Sequence, residues 1–207
     1  PSSTLLIQTK ADSTDLVLMR PHVLVAHSFT IAQSDNCVVY KPNCVVCIYV
    51  DDFLVAAADD GESEQLRRTL ESEFKLNDLG TPRSFLGIQF DFHVDRSISI
   101  HQHQYIQKVF PLLEGGVLTE IYTKAPKALL NYIPEESDLD DDAKGRFGTA
   151  IRSLIYLMVG TRPDLSFALG SLSRFTSRPQ SYHQAALQRL LRYVKATQSY
   201  RIIYRGG

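Results

Sequence analysis

The chain has 207 residues and a formal net charge of −1, so it can form one large or two small domains and is not basic as a whole. Hydrophobic residues make up 44% and charged residues 22%, as in ordinary globular proteins, and no apolar run reaches the roughly 18 residues of a membrane helix. Three cysteines are too few for a disulfide framework, so we expect an intracellular protein of the cytoplasm or nucleus.

The first clear pattern begins at Cys37, because residues 1–36 carry only short apolar runs. Residues 37–40 predict a strand, which the turn-former Lys41-Pro42-Asn43 ends. Residues 44–50 and 53–57 are two further apolar runs, so the polar pair Asp51-Asp52 between them predicts the tip of a β-hairpin.

Cys44 and Cys47 are spaced like half of a metal or redox motif. No second pair accompanies them, and an odd spacing in a strand predicts side chains on opposite faces. We therefore interpret them as strand residues.

A helix, a second hairpin and another helix follow. Residues 59–74 predict a helix with Asp60 as its N-cap and a stripe of Leu66, Leu70 and Phe74. Residues 84–92 and 97–101 predict the hairpin, and residues 104–113 the second helix. Residues 117–145 contain prolines and then a run of acids, which is typical of a linker.

The last third predicts three helices and a final strand. The first helix covers residues 147–159, the second starts at Pro163, and the third opens at Pro179. Residues 201–204 predict a strand. Strands followed by helices indicate the α+β class.

Positive charge is concentrated near the end of the chain. From Arg146 onward there are ten Lys or Arg residues and one acid, Asp164. This asymmetry has two readings, a surface for a polyanion or a solvated basic face, and charge alone does not choose between them.

Asp51 and Asp52 also have two readings. Nucleotidyl transfer uses two magnesium ions about 3.5–4 Å apart, and Mg²⁺ prefers carboxylate oxygens, which a rigid hairpin tip would hold in place. However, aspartate is common in turns because it tolerates their geometry. The histidines His101 and His103 similarly predict a half-buried polar pair rather than a metal site, and Asp164 a cap or a local ion pair with Arg162.

Several motifs resemble copia-type retrotransposon reverse transcriptases. Tyr49-Val50-Asp51-Asp52 is similar to the signature hairpin of reverse transcriptases, and Ser34 to Val38 is similar to the segment that precedes it in copia-type elements. Further blocks follow in family order: Phe74 to Gly80, Phe85-Leu86-Gly87-Ile88, Ile98 to Ile106, Ser153 to Leu157, Thr161 to Leu165, Leu172 to Phe175 and Leu191 to Thr197.

The resemblance implies roles for particular residues. Asp51 and Asp52 would be catalytic and would bind two Mg²⁺ ions in the palm, and Phe85, Leu86 and Gly87 would belong to the primer grip. The implied partners are an RNA/DNA template–primer duplex and a dNTP, with no membrane. The residues that would contact nucleic acid are Arg174, Arg189, Arg192 and Lys195.

The resemblance also implies three parts. Residues 1–100 would be a partial palm with both hairpins, residues 101–145 a thumb-like helix and acidic linker, and residues 146–207 a basic helical connection region. An amputated palm sheet would expose its edges, so self-association is expected.

Family features are missing from this sequence. The third palm carboxylate, the nucleotide-pocket block and the fingers are absent, and Arg152 stands where the family has glycine. We therefore expect a fragment of an RNA-directed DNA polymerase (a nucleotidyltransferase) that is inactive alone. The alternatives are a non-catalytic nucleic-acid-binding module and a non-functional transposon remnant. The chain starts with Pro1 rather than Met, and we expect it to be part of a longer polypeptide.

Overall fold

The computed structural model describes residues 3–9, 21–73, 75–113 and 138–205 of the chain. The chain divides into two compact units, residues 1–85 and residues 86–207. Each unit contains strands and helices, and the strand pairs are antiparallel, so the predicted α+β class is confirmed. The three-part division at residues 100 and 145 stays a prediction.

The first unit is built around a six-stranded antiparallel sheet with the order β2-β3-β4-β5-β1-β6. In the sheet, β1 pairs with β5 and β6, although both of these strands come much later in the sequence. The elements in chain order are β1 (Ser3–Thr9), α1 (Pro21–Val25), β2 (Thr30–Ala32), β3 (Asp35–Lys41), β4 (Cys44–Tyr49), β5 (Asp52–Ala57), α2 (Asp60–Glu73), β6 (Leu76–Asp78) and the two-residue strand β7 (Ser84–Phe85).

One face of this sheet is covered by α1 and α2. Alternate residues of the strands point to this face, where they meet apolar side chains of the two helices. The other side chains of each strand point to the opposite face, which is partly exposed. The buried residues include Ile7, Leu24, Val39, Val46, Phe53, Val55, Leu66 and Leu70.

The predicted strand at β3 and the predicted helix at α2 are confirmed, each with a change at its start or end. The strand predicted at residues 37–40 extends over all of β3. The N-cap of α2 is Asp59 rather than Asp60, because the backbone N–H of Glu62 donates to Asp59 Oδ1 over 2.9 Å. Leu66 and Leu70 are buried as predicted, and Phe74 lies outside the described residues.

Cys44 and Cys47 lie on opposite faces of β4, as their spacing predicted. Cys44 is 2% exposed in the core, whereas Cys47 is half-buried on the other face. Burial raises the pKa of both thiols, and nearby Asp35 raises that of Cys47 further. Both side chains are therefore held in the neutral thiol form.

The second unit combines a small sheet with a group of helices. Strands β8, β9 and β10 lie side by side in the order β10-β9-β8. No helix in the described part of the chain is long and apolar enough to cross a membrane. The elements are β8 (Ile88–Phe92), β9 (Ile98–His101), α3 (His103–Leu113), α4 (Asp141–Gly160), a 3₁₀ turn (Pro163–Leu165), α5 (Ser166–Ser173), α6 (Ser181–Ala196) and β10 (Ile202–Tyr204).

The four helices of this unit, α3 to α6, share one apolar core. Each contributes a stripe of side chains that water does not reach. The core includes Ile106, Phe110, Phe147, Ile151, Leu154, Leu169, Leu172, Leu187, Leu190 and Val194.

The acidic run that sequence analysis placed in a linker begins a helix instead. Asp140 is the N-cap of α4, since its Oδ1 accepts from the Ala143 N–H over 2.7 Å, and Asp141 and Asp142 lie in the first turn. Carboxylates stabilise this end of a helix because they complement its unpaired N–H groups and positive dipole end. Arg152, further along α4, is exposed. Residues 117–137 of the predicted linker lie outside the described residues.

A buried arginine joins the start of the 3₁₀ turn to the end of α6. Arg162 is 2% exposed, and its guanidinium donates to both carboxylate oxygens of Asp164 over 2.9 Å each. It also donates to the carbonyl and the hydroxyl of Thr197 over 3.1 and 2.7 Å. Tyr193 donates its hydroxyl to Asp164, and the rings of Tyr193 and Tyr200 flank the guanidinium. The predicted local ion pair is thus confirmed.

Replacing this arginine should strongly destabilise the second unit. Arg162→Met keeps much of the volume but removes the guanidinium that donates to Asp164 and Thr197, so we expect the free energy of unfolding in urea to fall by about 3–5 kcal/mol. Arg178→Met is the matched control, because the Arg178–Asp138 pair is largely exposed and should contribute only about 0–1 kcal/mol. Equal losses in the two variants would contradict this account.

His183 fixes the first turn of α6. Its ring is fully buried and stacks on Phe175 with a centroid distance of 4.0 Å. The Nδ1 atom accepts from the backbone N–H of Gln180 over 3.0 Å, which completes a capping box at Gln180. A protonated ring could not accept this bond, and burial lowers the pKa of His183 from its ordinary value.

We expect the stability of the second unit to fall in acid because of this residue. With a lowered folded pKa, the unfolded chain binds the proton first, so the contribution is complete above pH 6.5 and is lost as the pH falls toward the folded pKa. Urea midpoints between about pH 8 and about pH 5 should fall less in His183→Gln than in the parent chain. His27→Gln, at an exposed position, should leave the parent slope unchanged.

Candidate functional site

The β4–β5 hairpin closes through a two-residue turn. Tyr49 pairs with Asp52, so the turn residues are Val50 and Asp51. Asp52 is therefore the first residue of β5, and the predicted Asp51-Asp52 tip is shifted by one residue. This correction matters because strand pairing fixes where the Asp52 side chain points, whereas Asp51 follows the turn.

The turn has an unusual backbone. Val50 has a φ of +52°, and Asp51 is not among the residues with positive φ. A positive φ at the first central residue alone is the type II′ pattern, which suits the twist of paired strands. A β-branched residue in this conformation is strained, and such strain is concentrated at functional sites.

Asp52 lies on the partly exposed face of the sheet. Its neighbours Phe53 and Val55 alternate with it toward the core. Directly across the strands stand Tyr49 on one side and Gln8 of β1 on the other. The Gln8 Nε2 atom donates to Asp52 Oδ1 over 3.1 Å. Both aspartates are half-buried.

The rest of this face is largely apolar. On this face, the side chains of Tyr40, Val45 and Tyr49 are 46%, 41% and 53% exposed. Cys47 and Leu54, which face each other on β4 and β5, are half-buried on the same face. This face, with Asp51 and Asp52 at one end, could receive a flat or extended ligand whose charged part reaches the two carboxylates.

The aspartates supply suitable ligands for magnesium but not a complete site. Carboxylate oxygens are what Mg²⁺ prefers. Among the residues that the structure describes, however, no group of three His, Cys, Asp or Glu side chains could hold a metal ion, and the position facing Asp52 carries an amide. The described residues therefore do not fit the two-ion site that the family resemblance implies.

Two of the three residues predicted for a primer grip, Leu86 and Gly87, form a turn, and Phe85 ends β7 just before it. Leu86 and Gly87 both have positive φ, +51° and +73°, and β8 starts only at Ile88. Tyr156 of α4 donates its hydroxyl to the Leu86 carbonyl. The role of Phe85, Leu86 and Gly87 in binding a primer stays a prediction.

Three of the four residues predicted to bind nucleic acid share one helix. Arg189, Arg192 and Lys195 are half-buried on α6 and are spaced three apart, which places them along one side. Arg174 is exposed at the end of α5, over the ring of Phe175.

His101 and His103 form a half-buried polar pair, as predicted. His101 Nε2 lies 3.2 Å from Asp91 Oδ2, and Arg201 donates to the same oxygen over 3.0 Å. His103 begins α3 and contacts Gln107. These contacts join β8, β9 and the residue preceding β10.

Sequence reasoning missed Gln8 and Tyr156. The only signal for β1 was the short apolar run Leu5-Leu6-Ile7, which says nothing about which strand it joins. Tyr156 was quoted only as part of a family block, and its partner Leu86 lies 70 residues away. Both residues are identified only through contacts between parts of the chain that are far apart in the sequence.

The comparison with protein families agrees with the hairpin. Residues 20–129, just over half of the chain, match the family model described as reverse transcriptase (RNA-dependent DNA polymerase). The chain belongs to this family.

Several of its relatives are retrotransposon proteins, which confirms the predicted copia-type resemblance. The chain is 31% identical over 176 residues to the retrovirus-related Pol polyprotein from transposon TNT 1-94 of Nicotiana tabacum, covering 79% of this chain and 13% of the polyprotein. It is 28% identical over 183 residues to the Pol polyprotein from transposon RE1 of Arabidopsis thaliana, covering 87% and 12%.

A third relative is shorter. A transposon Ty5-1 protein of Saccharomyces cerevisiae is 29% identical over 164 residues, which is 78% of this chain and 52% of that protein. The chain thus spans between about an eighth and about half of these relatives. No solved structure matches.

Gly87→Ala should destabilise the second unit. A methyl group there would lie 2.6 Å from the Tyr156 hydroxyl, and the left-handed backbone itself costs a non-glycine residue about 1–2 kcal/mol. Thermal unfolding should therefore start at a lower temperature. The matched control is Gly170→Ala in α5, where nothing lies within 4 Å and we expect a gain of about 0.5–1 kcal/mol. A neutral Gly87→Ala would show that the turn is not held as described.

Proposed function

We propose that the chain is the palm-bearing part of a copia-type reverse transcriptase, with the Asp51-Asp52 hairpin at the catalytic end of the palm. The observation that carries the proposal is the register of β5, which places Asp52 on the exposed face beside Tyr49. Assigning a catalytic role to this hairpin also depends on family membership, because the same residues in an unrelated sheet would be an ordinary turn.

The exposed face of the first unit is the proposed surface for a template–primer duplex and an incoming dNTP. Tyr40, Val45 and Tyr49 offer apolar contacts to sugars and bases, and the aspartates lie at one end of the same face. A duplex lying across these strands would bring its reactive end toward Asp52.

The second unit would contribute phosphate contacts. Arg189, Arg192 and Lys195 follow one another at intervals of three residues along α6. Contacts of lysine and arginine with phosphates give affinity that is independent of sequence and sensitive to salt.

Alone, the chain is proposed to be inactive as a polymerase. Asp51 and Asp52 can supply carboxylate oxygens, but the amide of Gln8 occupies one of them and the described residues add no third acid at the hairpin. The chain would act within a longer protein, as expected for an intracellular retrotransposon product.

The first test is primer extension on poly(rA)/oligo(dT) with magnesium or manganese, comparing the chain with its Asp51→Asn/Asp52→Asn variant. We expect no extension from either protein, and binding of the duplex by both in a gel-shift assay. Thermal unfolding of the two proteins provides the folding control.

Other results would change the proposal in different ways. Extension that disappears in the variant would support the palm role and overturn the inactivity. Failure of the folded chain to bind the duplex at low salt would overturn the proposed function itself.

A non-catalytic nucleic-acid-binding module is the second candidate function. It is favoured by the three basic side chains along α6, which are those of Arg189, Arg192 and Lys195. Replacing them together, as Arg189→Gln/Arg192→Gln/Lys195→Gln, should weaken duplex binding and lower the slope of log affinity against log salt by about 0.9 for each phosphate that is no longer neutralised. A Gln184→Ala/Gln188→Ala variant on the same helix should keep the parent slope. An unchanged slope in the triple variant would exclude α6 as the surface that binds the duplex.

A further inference from the structure

Gln8 lies directly opposite Asp52 on the neighbouring strand and donates a hydrogen bond to it. Residues 3–8 of β1 pair with β5 in a continuous antiparallel register that ends at Gln8 and Asp52. Directly opposed side chains share a face, and the donor and acceptor atoms here are 3.1 Å apart. The amide must turn its NH₂ toward the carboxylate, because its carbonyl oxygen would be repelled.

We propose that Gln8 determines whether the hairpin can hold a divalent cation. In this chain the amide donates to Asp52 Oδ1 and turns its NH₂, rather than its carbonyl oxygen, toward the carboxylate, so the described residues do not form a cation site at the hairpin. A carboxylate in the same position turns it into one. The inference rests on the proposed metal-binding role of Asp51 and Asp52, and it adds the residue that controls that role.

Geometry supports a direct exchange of amide for carboxylate. Two oxygens that occupy neighbouring corners of an octahedron around Mg²⁺, each at 2.0–2.1 Å, lie about 2.9 Å apart. Gln8 Nε2 and Asp52 Oδ1 are 3.1 Å apart, close to this spacing. Glutamate has the same length as glutamine, so Gln8→Glu places an oxygen where the nitrogen now lies.

Charge supports the same conclusion. Two aspartates give the hairpin a charge of about −2, which a single amide hydrogen bond partly relieves at Asp52. A third carboxylate raises the repulsion among the acids, and a divalent cation relieves it. The cation should therefore bind more tightly and also stabilise the fold of the variant.

The test measures Mn²⁺ binding directly by isothermal titration calorimetry on the full chain. We compare the parent with Gln8→Glu, with Gln8→Glu/Asp52→Asn, and with Gln65→Glu as the charge-matched control. Gln65 is exposed on α2, so its substitution adds the same charge away from the hairpin. We expect Gln8→Glu to bind Mn²⁺ about tenfold or more tightly than the parent, and the other two variants to match the parent. Mn²⁺ should also raise the unfolding temperature of Gln8→Glu alone.

Every other pattern overturns the inference. If the parent binds Mn²⁺ as tightly as Gln8→Glu and loses it in Asp51→Asn/Asp52→Asn, the metal-binding role stands and the control by Gln8 falls. If folded Gln8→Glu binds no more tightly than Gln65→Glu and the parent does not bind, both fall.

Gln8→Ala guards against a Gln8→Glu variant that does not fold. It frees Asp52 Oδ1 without adding an acid, so it should bind Mn²⁺ more tightly than the parent. No gain in a folded Gln8→Ala variant overturns the inference as well.

Discussion

The antiparallel register of β5 between β4 and β1 determines the properties of the candidate site. Because side chains alternate along a strand, one register sends Phe53 and Val55 into the core and Asp52 to the exposed face. A slip of one residue would bury the carboxylate and expose the phenylalanine, so hydrophobic burial protects the position of the acid. The strained turn at Val50 and the hydrogen bond from Gln8 both follow from this register.

The second unit shows how a basic sequence is divided between structure and surface. Arg162 has the same charge as Arg189 and Arg192, yet it is buried among Asp164, Thr197 and two tyrosine rings. It joins the ends of helices that are far apart in the chain. Charge counted along the sequence therefore overstates the part available to a polyanion, and three-dimensional position separates the two uses.

Local pattern predicted the elements whose signals are local. The β4–β5 hairpin, the helices around Leu66, Leu154 and Leu190, and the final strand follow from periodicity and turn residues. The start of α4 was missed because an acidic run suits both a linker and a helix N-terminus. The site was predicted only in part: Asp51 and Asp52 came from a motif, whereas Gln8 became their neighbour through pairing across 44 residues, which no local signal encodes.

The interior position of β1 in the sheet has a consequence for how the first unit folds. Strands β2 to β5 can form as successive hairpins between neighbours in the sequence. By contrast, β1 precedes all of them in the sequence and must insert between β5 and β6. Contacts between residues so distant in sequence are entropically costly to form and slow folding. Until β1 arrives, β5 has an unpaired backbone edge beside the apolar Leu54 side chain. Synthesis from the N-terminus makes β1 early and its partners late, so the nascent chain must keep this strand from pairing elsewhere.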